Sequence, residues 1–439
     1  MRLSVVGTGY LGAVHAAAMA ELGHEVLGVD VDAAKIQALA EGRAPFFEPG
    51  LPELLSRVSA SGRLRFTTSL QEAAEFGEVH FVCVGTPQKP GSYAADMKYV
   101  DAVVEGLAVH LQQPCLVVGK STVPVGTAAR LAARLAELAP VGGQAELAWN
   151  PEFLREGFAV QDTLAPDRLV VGVTSDAADA TLREVYASIL ATGTPYIRTD
   201  LATAELVKVS ANAFLATKIS FINAISDVCE ATGADIVTLA DAIGHDVRIG
   251  RRFLSAGLGF GGGCLPKDIR AFMARAGELG AGEALTFLKE IDEINMRRRL
   301  NTVEMARAEL GGSVLGKRVA ILGAAFKPDS DDVRDSPALN VAAALHIQGA
   351  QVRVHDPEAT DNARALFPTL EYTTDIEKVV EGAQLVLHLT EWREYRELDP
   401  TELAKLVSVP RMLDARNALD IDLWRAAGWQ FRALGRPAR

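Results

Sequence analysis

Leu3-Ser4-Val5-Val6-Gly7-Thr8-Gly9-Tyr10-Leu11-Gly12 decides the fold: a short apolar run, glycines at fixed offsets, then the opening of a helical pattern. Strand, glycine turn and helix in this order form the dinucleotide-binding fingerprint. Gly7 and Gly9 permit a tight turn and close approach of backbone to a pyrophosphate, and Gly12 lets the helix pack on the sheet. Tyr10 and Leu11 lie where the helix begins, so its free N–H groups and positive dipole end face the phosphates. Asp30 closes the next expected strand, Glu25–Val29, about 20 residues on as the fingerprint requires. Its carboxylate can accept from both ribose hydroxyls and repels a 2′-phosphate, so NAD is expected rather than NADP. The plainer reading is a structural turn; strand, helix and acid together weigh against it.

Outward from this stretch, the rhythm of strand, turn and helix continues to about residue 200, with strands expected at Val79–Val84, Leu116–Gly119, Ala145–Trp149 and Leu169–Val173. Such alternation implies a parallel sheet covered by helices. From Asp200 the pattern changes. Leu206, Val209, Ala213, Ile219 and Ile222 recur at helical spacing with no breaker before Gly233, so one long helix is expected. A second helical stretch runs from about Ala281 to Leu310 and stops at Gly311-Gly312. Arg318-Val319-Ala320-Ile321-Leu322-Gly323 then echoes the head of the chain, and Gln351–His355 echoes the strand before Asp30. The expected fold class is α/β: two Rossmann-like doubly wound parallel-sheet domains joined by a central helical domain, with extents 1–200, 201–310 and 311–439.

The 439 residues are 49% hydrophobic and 23% charged, which describes a globular chain able to bury sizeable cores rather than a disordered one. A formal charge of −12 without clustered Lys and Arg argues against a nucleic-acid partner. Arg297-Arg298-Arg299 is the one basic run, and it reads as a solvated helix face. Cys83, Cys115, Cys229 and Cys264 show no CxxC pairing and no metal-ligand spacing with His, so no metal is expected and a reducing compartment is. Met1 leads directly into an apolar strand without signal-peptide features, and no apolar run is long enough to span a bilayer. The expected location is the cytoplasm, with no membrane partner.

The segment Phe253-Leu254-Ser255-Ala256-Gly257 through Gly259-Phe260-Gly261-Gly262-Gly263-Cys264-Leu265-Pro266-Lys267-Asp268 is the richest in chemistry. Its glycines make a poor helix or strand but allow a backbone to wrap a ligand closely. An ordinary free cysteine is a small buried hydrophobe; here an adjacent cation would favour the thiolate that does nucleophilic work. Lys208 and Asn212 lie four apart on the expected long helix and share a face. Glu205, one turn earlier, reads by default as a surface partner of Lys208. Asn150-Pro151-Glu152-Phe153-Leu154-Arg155-Glu156-Gly157 opens at the carboxyl end of a strand, where open parallel sheets bind ligands. Glu152 and Glu156 could equally be first-turn helix acids, and Thr122, in Lys120–Thr127, an ordinary N-cap.

Together these blocks, with Val84-Gly85-Thr86-Pro87, Ser121–Thr127 and Phe326–Arg334, resemble the UDP-glucose/GDP-mannose dehydrogenase family over nearly the whole chain. The resemblance implies an NAD domain, a central dimerisation region and a C-terminal domain for the nucleotide of the sugar substrate. By the family pattern Cys264 is the nucleophile and Lys208, Asn212 and Asp268 are its partners, with Thr122 and Glu156 holding water and the nicotinamide end. Asp30, Lys35, Thr86, Thr122, Glu156, Lys267 and Arg334 match cofactor contacts. Glu152, Phe153, Leu154, Arg155, Glu156, Phe253, Leu254, Ser255, Ala256, Gly257, Gly261, Lys327 and Arg416 match substrate contacts. Arg248 matches a residue that reaches the neighbouring subunit's substrate, so a homodimer or higher homo-oligomer is implied.

The resemblance narrows to the branch that oxidises UDP-glucose, with GDP-mannose or a UDP-N-acetylhexosamine as the alternative. The N-acetylhexosamine branch usually carries a histidine before the cysteine and lacks the following Lys-Asp; GDP-mannose enzymes share the Cys-Leu-Pro-Lys-Asp ending. Gly263 departs from the serine of many relatives. Taking an alcohol to a carboxylate needs two hydride transfers, and a carbonyl carbon must first gain a nucleophile before it can give the second. Cys264 can supply it, through a thiohemiacetal and then a thioester, for two NADH per sugar. Lys208 and Asn212 are then expected at the sugar oxyanion and Asp268 as base, with Glu156 through water competing for one step. More distant readings are a β-hydroxyacid dehydrogenase, which has no use for Cys264 or a third domain, and a catalytically silent sensor of nucleotide sugar and NAD.

Overall fold

The computed structural model describes residues 1–437 and separates into two compact units. One comprises Met1–Ala211 with Arg270–Gly280; the other comprises Asn212–Ile269 and the chain from Ala281 onward.

The first unit is built on an eight-stranded sheet, β1 Arg2–Val6, β2 Glu25–Val29, β3 Leu64–Thr67, β4 Val79–Val82, β5 Cys115–Gly119, β6 Ala145–Trp149, β7 Leu169–Gly172 and β8 Tyr196–Thr199. Their order is β3-β2-β1-β4-β5-β6-β7-β8, and every neighbouring pair is parallel except β6 with β7. Leu3, Val5, Val79 and Phe81 are fully out of water, as expected of central parallel strands covered on both faces. The order reverses between β1 and β4, and in open α/β sheets the crevice beyond that reversal is where ligands sit. The glycine loop, Val84–Thr86, Lys120–Thr122 and Asn150–Glu156 all follow the carboxyl ends of β1, β4, β5 and β6. β4 stops at Val82, two residues short of the expected end. β3 and β8 were not expected; Leu-Arg-Phe-Thr and Tyr-Ile-Arg-Thr are short, half-exposed edge strands without an apolar run to announce them.

The second unit carries β9 Arg318–Leu322, β10 Gln351–His355, β11 Glu371–Thr373, β12 Leu385–His388, β13 Arg411–Asp414 and β14 Gln430–Ala433, all parallel, in the order β11-β10-β9-β12-β13-β14. This is the order of the first six strands of the other sheet, so the echo between the chain ends is a repeat of topology. Gly323 follows β9 with φ +110° as Gly7 follows β1 with φ +93°. Asp356 follows β10 as Asp30 follows β2, but it is 1% exposed and accepts from the amides of Ala324 and Ala325 and from the Trp392 indole. The acid of the second copy is spent on its own loops.

The long helix spans Leu201–Thr232, and the second helical stretch is a 3-10 turn, Gly282–Leu285, leading into Thr286–Glu309. The basic run on that last helix is not a solvated face. Only Arg297 is exposed; Arg298 is 1% and Arg299 3% exposed. Arg298 reaches Asp227, Ser226 Oγ and the Gly257 carbonyl, and Arg299 reaches Asp335, Asn340 and the Phe260 carbonyl. Three consecutive helical residues point in different directions, so one can meet water while its neighbours are buried. No helix among the described residues is long and apolar enough to cross a membrane, and none of their His, Cys, Asp and Glu form a group of three or more that could hold a metal ion.

Candidate active site

In the first unit the glycine loop is shaped by what a side chain would strike. A Cβ at Gly7 would fall 2.6 Å from Val84 Cγ1, and one at Gly12 would fall 1.8 Å from the Gly7 carbonyl. Gly12 therefore seats the helix on the loop itself and on Cys83, more than on the sheet. At Gly9 a Cβ meets nothing within 4 Å, which leaves the approach open to a ligand. The helix Tyr10–Glu21 has no side-chain cap and no acid in its first turn, so its N–H groups and positive end are uncompensated, as a pyrophosphate requires. This end of the sheet fits a dinucleotide.

Asp30 accepts from the Thr8 amide at 2.9 Å, the Asp32 amide at 3.1 Å and Lys35 Nζ at 2.9 Å. Burial works to raise its pKa, but Lys35 and the two amides prevail and hold it below the usual carboxylate range. Lys35, read as a cofactor contact, stands on Asp30, and the Tyr10 hydroxyl is given to Glu48. Thr86 donates to the Thr122 carbonyl at 2.8 Å, tying the loops after β4 and β5. Thr122 is not an N-cap. The following helix begins at Thr127, and its free amides at Gly126 and Ala128 are taken by Glu205 at 2.7 and 2.6 Å.

Glu205 is thus no surface partner of Lys208: it is 2% exposed and caps another helix. Burial raises its carboxyl above the ordinary range against the pull of the amides it accepts. Lys208, 5% exposed, pairs instead with Glu152 at 2.9 Å. Glu152 also accepts from the Leu154 amide at 2.8 Å, which folds Pro151–Phe158 into a loop rather than the helical turn weighed above; the helix starts at Ala159. In that loop Glu156 is half-buried, Arg155 is turned outward to Asp162, and the Arg168 guanidinium lies 4.0 Å from the Phe153 ring centre. Sequence reasoning passed over Lys120, which is 6% exposed, donates to Asn150 Oδ1 at 3.0 Å, and is brought down to about 8 by burial. A lone lysine before Ser-Thr-Val-Pro carries no signal of its burial.

In the second unit Cys264 is exposed and stands at the N-cap of the helix Leu265–Glu278, its carbonyl accepting the Asp268 amide at 2.9 Å. Pro266 in the first turn and Asp268 after it are helix-start signals that the sequence reading did not use. Asp268, 2% exposed, accepts from Asn212 Nδ2 at 2.6 Å and Lys267 Nζ at 2.5 Å. Lys208 and Asn212, read as one pair, therefore serve different carboxylates.

The glycine-rich approach to Cys264 is held by buried polar side chains. Asn223 accepts from the Gly257 amide at 2.8 Å, and Asn295 bonds both the amide and carbonyl of Phe260, at 2.7 and 2.9 Å. Arg298 and Arg299 hold the Gly257 and Phe260 carbonyls. Leu254 and Ala256 are buried, Ser255 accepts from Arg251, and Phe253 is exposed in a left-handed conformation, φ +65°. Close approach explains one of the glycines: a Cβ at Gly261 would fall 2.3 Å from the Asp335 carbonyl, whereas at Gly263 the atoms 2.3 Å away are the movable end of the Arg334 side chain. Arg334 itself pairs with Asp332. Lys327 lies 5.6 Å from the Phe326 ring centre. Arg416, matched to a substrate arginine, gives its guanidinium to the carbonyls of Leu389, Gly259 and Phe326. Arg248 is exposed against Asp246.

Comparison with known proteins adds three matches in chain order. Residues 1–190 match the NAD binding domain, 202–297 the central domain and 320–421 the UDP binding domain of the UDP-glucose/GDP-mannose dehydrogenase family. A Rhizobium meliloti (strain 1021) protein named UDP-glucose 6-dehydrogenase is 41% identical over 441 residues, covering 100% of both chains. The solved UDP-glucose dehydrogenase from the hyperthermophilic archaeon Pyrobaculum islandicum has TM-score 0.90 and 38% identity over 99% of this chain and 98% of that one. A solved UDP-D-ManNAc dehydrogenase from Pyrococcus horikoshii has TM-score 0.86 but 25% identity, over 99% of each chain.

Proposed function

Because the chain belongs to the UDP-glucose/GDP-mannose dehydrogenase family, an NAD-dependent oxidoreductase family, we propose that it oxidises UDP-glucose twice at C6 to UDP-glucuronate through a thioester on Cys264. Bound at the glycine loop and Asp30, NAD supplies the acceptor for each hydride. UDP-glucose as substrate is supported by the 38–41% identities to proteins of that name, against 25% to one acting on an N-acetylated sugar.

The observation that carries the mechanism is Cys264 at the head of a 14-residue helix, exposed, with Asp268 buried one turn on. A helix N-terminus favours negative charge on a group held there, which favours the thiolate. In the first oxidation the C6 hydroxyl loses its proton to a base and a hydride leaves carbon, giving the aldehyde. Cys264 Sγ then bonds to C6, and the carbonyl oxygen takes the negative charge. Lys208 and Asn212 donate to that oxygen. The second hydride leaves the same carbon and forms the thioester; water then adds, the C–S bond breaks, and carboxylate and free thiol are released. Asp268, paired with Lys267 and oriented by Asn212, takes the proton of the attacking water, while Glu156 is the competing base through water.

The assembly proposed is a homodimer or larger. Phe214, Phe221 and Val228 recur every seven residues on the long helix and remain 66%, 49% and 56% exposed, an apolar stripe that a second copy of the helix can cover. Free cysteines support a reducing compartment, and the cytoplasm is the proposed location. The deciding measurement is NADH formed per sugar with UDP-glucose, GDP-mannose and a UDP-N-acetylhexosamine in parallel. Two NADH per UDP-glucose with little turnover of the others is expected; a preference for either alternative would overturn the substrate assignment.

A further inference from the structure

Glu48 is 2% exposed and belongs to no motif identified in the sequence. It sits in the turn before the helix Leu51–Ala60, and its two carboxylate oxygens collect donors from two distant segments. One oxygen accepts from the Gly157 amide at 2.7 Å and from the Tyr10 hydroxyl; the other accepts from the Ala159 amide at 2.6 Å and the Val160 amide at 3.4 Å. The Tyr10 hydroxyl in turn accepts from the Gly157 amide at 3.0 Å. Tyr10 is the first residue of the helix that the glycine loop opens, and Gly157 closes the loop that carries Glu152 and Glu156. One buried carboxylate thus joins the cofactor loop to the acid loop within a single unit.

We infer that Glu48 is a positioning residue: it locks the helix of the dinucleotide loop to the loop bearing Glu152 and Glu156, so that cofactor and acids are held in one frame. A carboxylate is the side chain that suits the site, since all of its neighbours here are donors and a buried carboxylate must be met on both oxygens. Burial, then the Glu48 carboxylate, push the Tyr10 phenol far above its ordinary range, so it remains a donor at any working pH. Glutamine at 48 would turn an amide N–H against a backbone N–H, at Gly157 or at Ala159, whichever way it is flipped.

The inference rests on the reading that Glu152 and Glu156 serve the reaction, so the test carries one arm that needs no sugar. In the full-length protein, Glu48→Gln should speed hydrogen exchange at the Gly157 and Ala159 amides without added ligand, and should weaken NAD binding in a fluorescence titration. With UDP-glucose and NAD, kcat should fall about tenfold or more, since small displacements of reacting groups are costly. Tyr10→Phe alone should give part of that loss, and adding it to Glu48→Gln should give no more, because both cut the same link. Faster exchange with NAD affinity, KM and kcat all as in the wild type would reduce Glu48 to a loop fastener and overturn the inference; so would additive losses. If the wild type does not turn over UDP-glucose, the substrate reading falls and the NAD titration alone decides Glu48. Should Glu48→Gln not fold, Tyr10→Phe decides: unchanged NAD affinity and kcat end the proposal.

Discussion

The ammonium nitrogen of Lys208 lies 2.9 Å from a carboxylate oxygen of Glu152, with the two side chains 6% and 14% exposed. A cation held out of water and fixed in place by a carboxylate is preorganised for negative charge that develops beside it, which is what an oxyanion-stabilising lysine must be. Lys208→Ala should lower kcat by about 10²–10³-fold with both ligands still bound. It also strands Glu152, so a loss of stability is expected alongside. Normal steady-state turnover in a folded Lys208→Ala protein would remove the oxyanion role.

Cys264→Ser keeps the helix N-cap, because the backbone carbonyl that accepts from Asp268 is untouched. Its hydroxyl is a far weaker nucleophile than a thiolate at neutral pH. Rapid-mixing absorbance at the NADH band should show at most a brief burst and then a steady rate reduced about 10³-fold or more. Full turnover by this variant takes the covalent step out of the mechanism.

Arg297, Arg298 and Arg299 are alike in sequence and opposite in setting. Arg297→Ala should change the urea midpoint by less than about 0.5 kcal/mol equivalent, as exposed ion pairs contribute little. Arg299→Ala removes the donor to Asp335 and leaves the Phe260 carbonyl with Asn295 alone, and a cost of about 3–5 kcal/mol is expected for breaking a buried pair. Equal effects in the two variants would contradict the burial seen here.

Lys120 gives a pH signature of known sign. Burial lowers its pKa to about 8 in the folded chain from its ordinary 10.5. Between those values the unfolded chain binds the proton that the folded chain has released, so its contribution makes stability rise as pH increases from about 8 to 10.5. Below pH 8 the full penalty for burying the charge is present. Urea unfolding across this range should show the rise in the wild type and a flatter profile in Lys120→Met; an unchanged slope in the variant would assign the effect elsewhere.

Removing the apolar stripe tests the assembly. Phe214→Asp with Phe221→Asp should yield monomers by light scattering if the long helix pairs with its copy, and an unaltered mass would place the subunit interface on another face.

The sequence by itself determined the kind of fold and the chemistry of the reactive segment. Apolar runs alternating with helical patterns, glycine at offsets that a turn demands, and Asp30 at the end of β2 are local properties, set by the sterics of neighbouring residues. Tertiary structure alone decided what each polar group does. Glu48 meets Gly157 across 109 positions and Glu205 meets Gly126 across 79, and both were invisible or misread because a side chain's type does not state its partner. Arg298 and Arg299 were misread for the same reason. Burial makes an unpaired charge costly, so each such residue is fixed by whichever donors or acceptors folding brings within reach, and that choice is made between segments far apart in the chain.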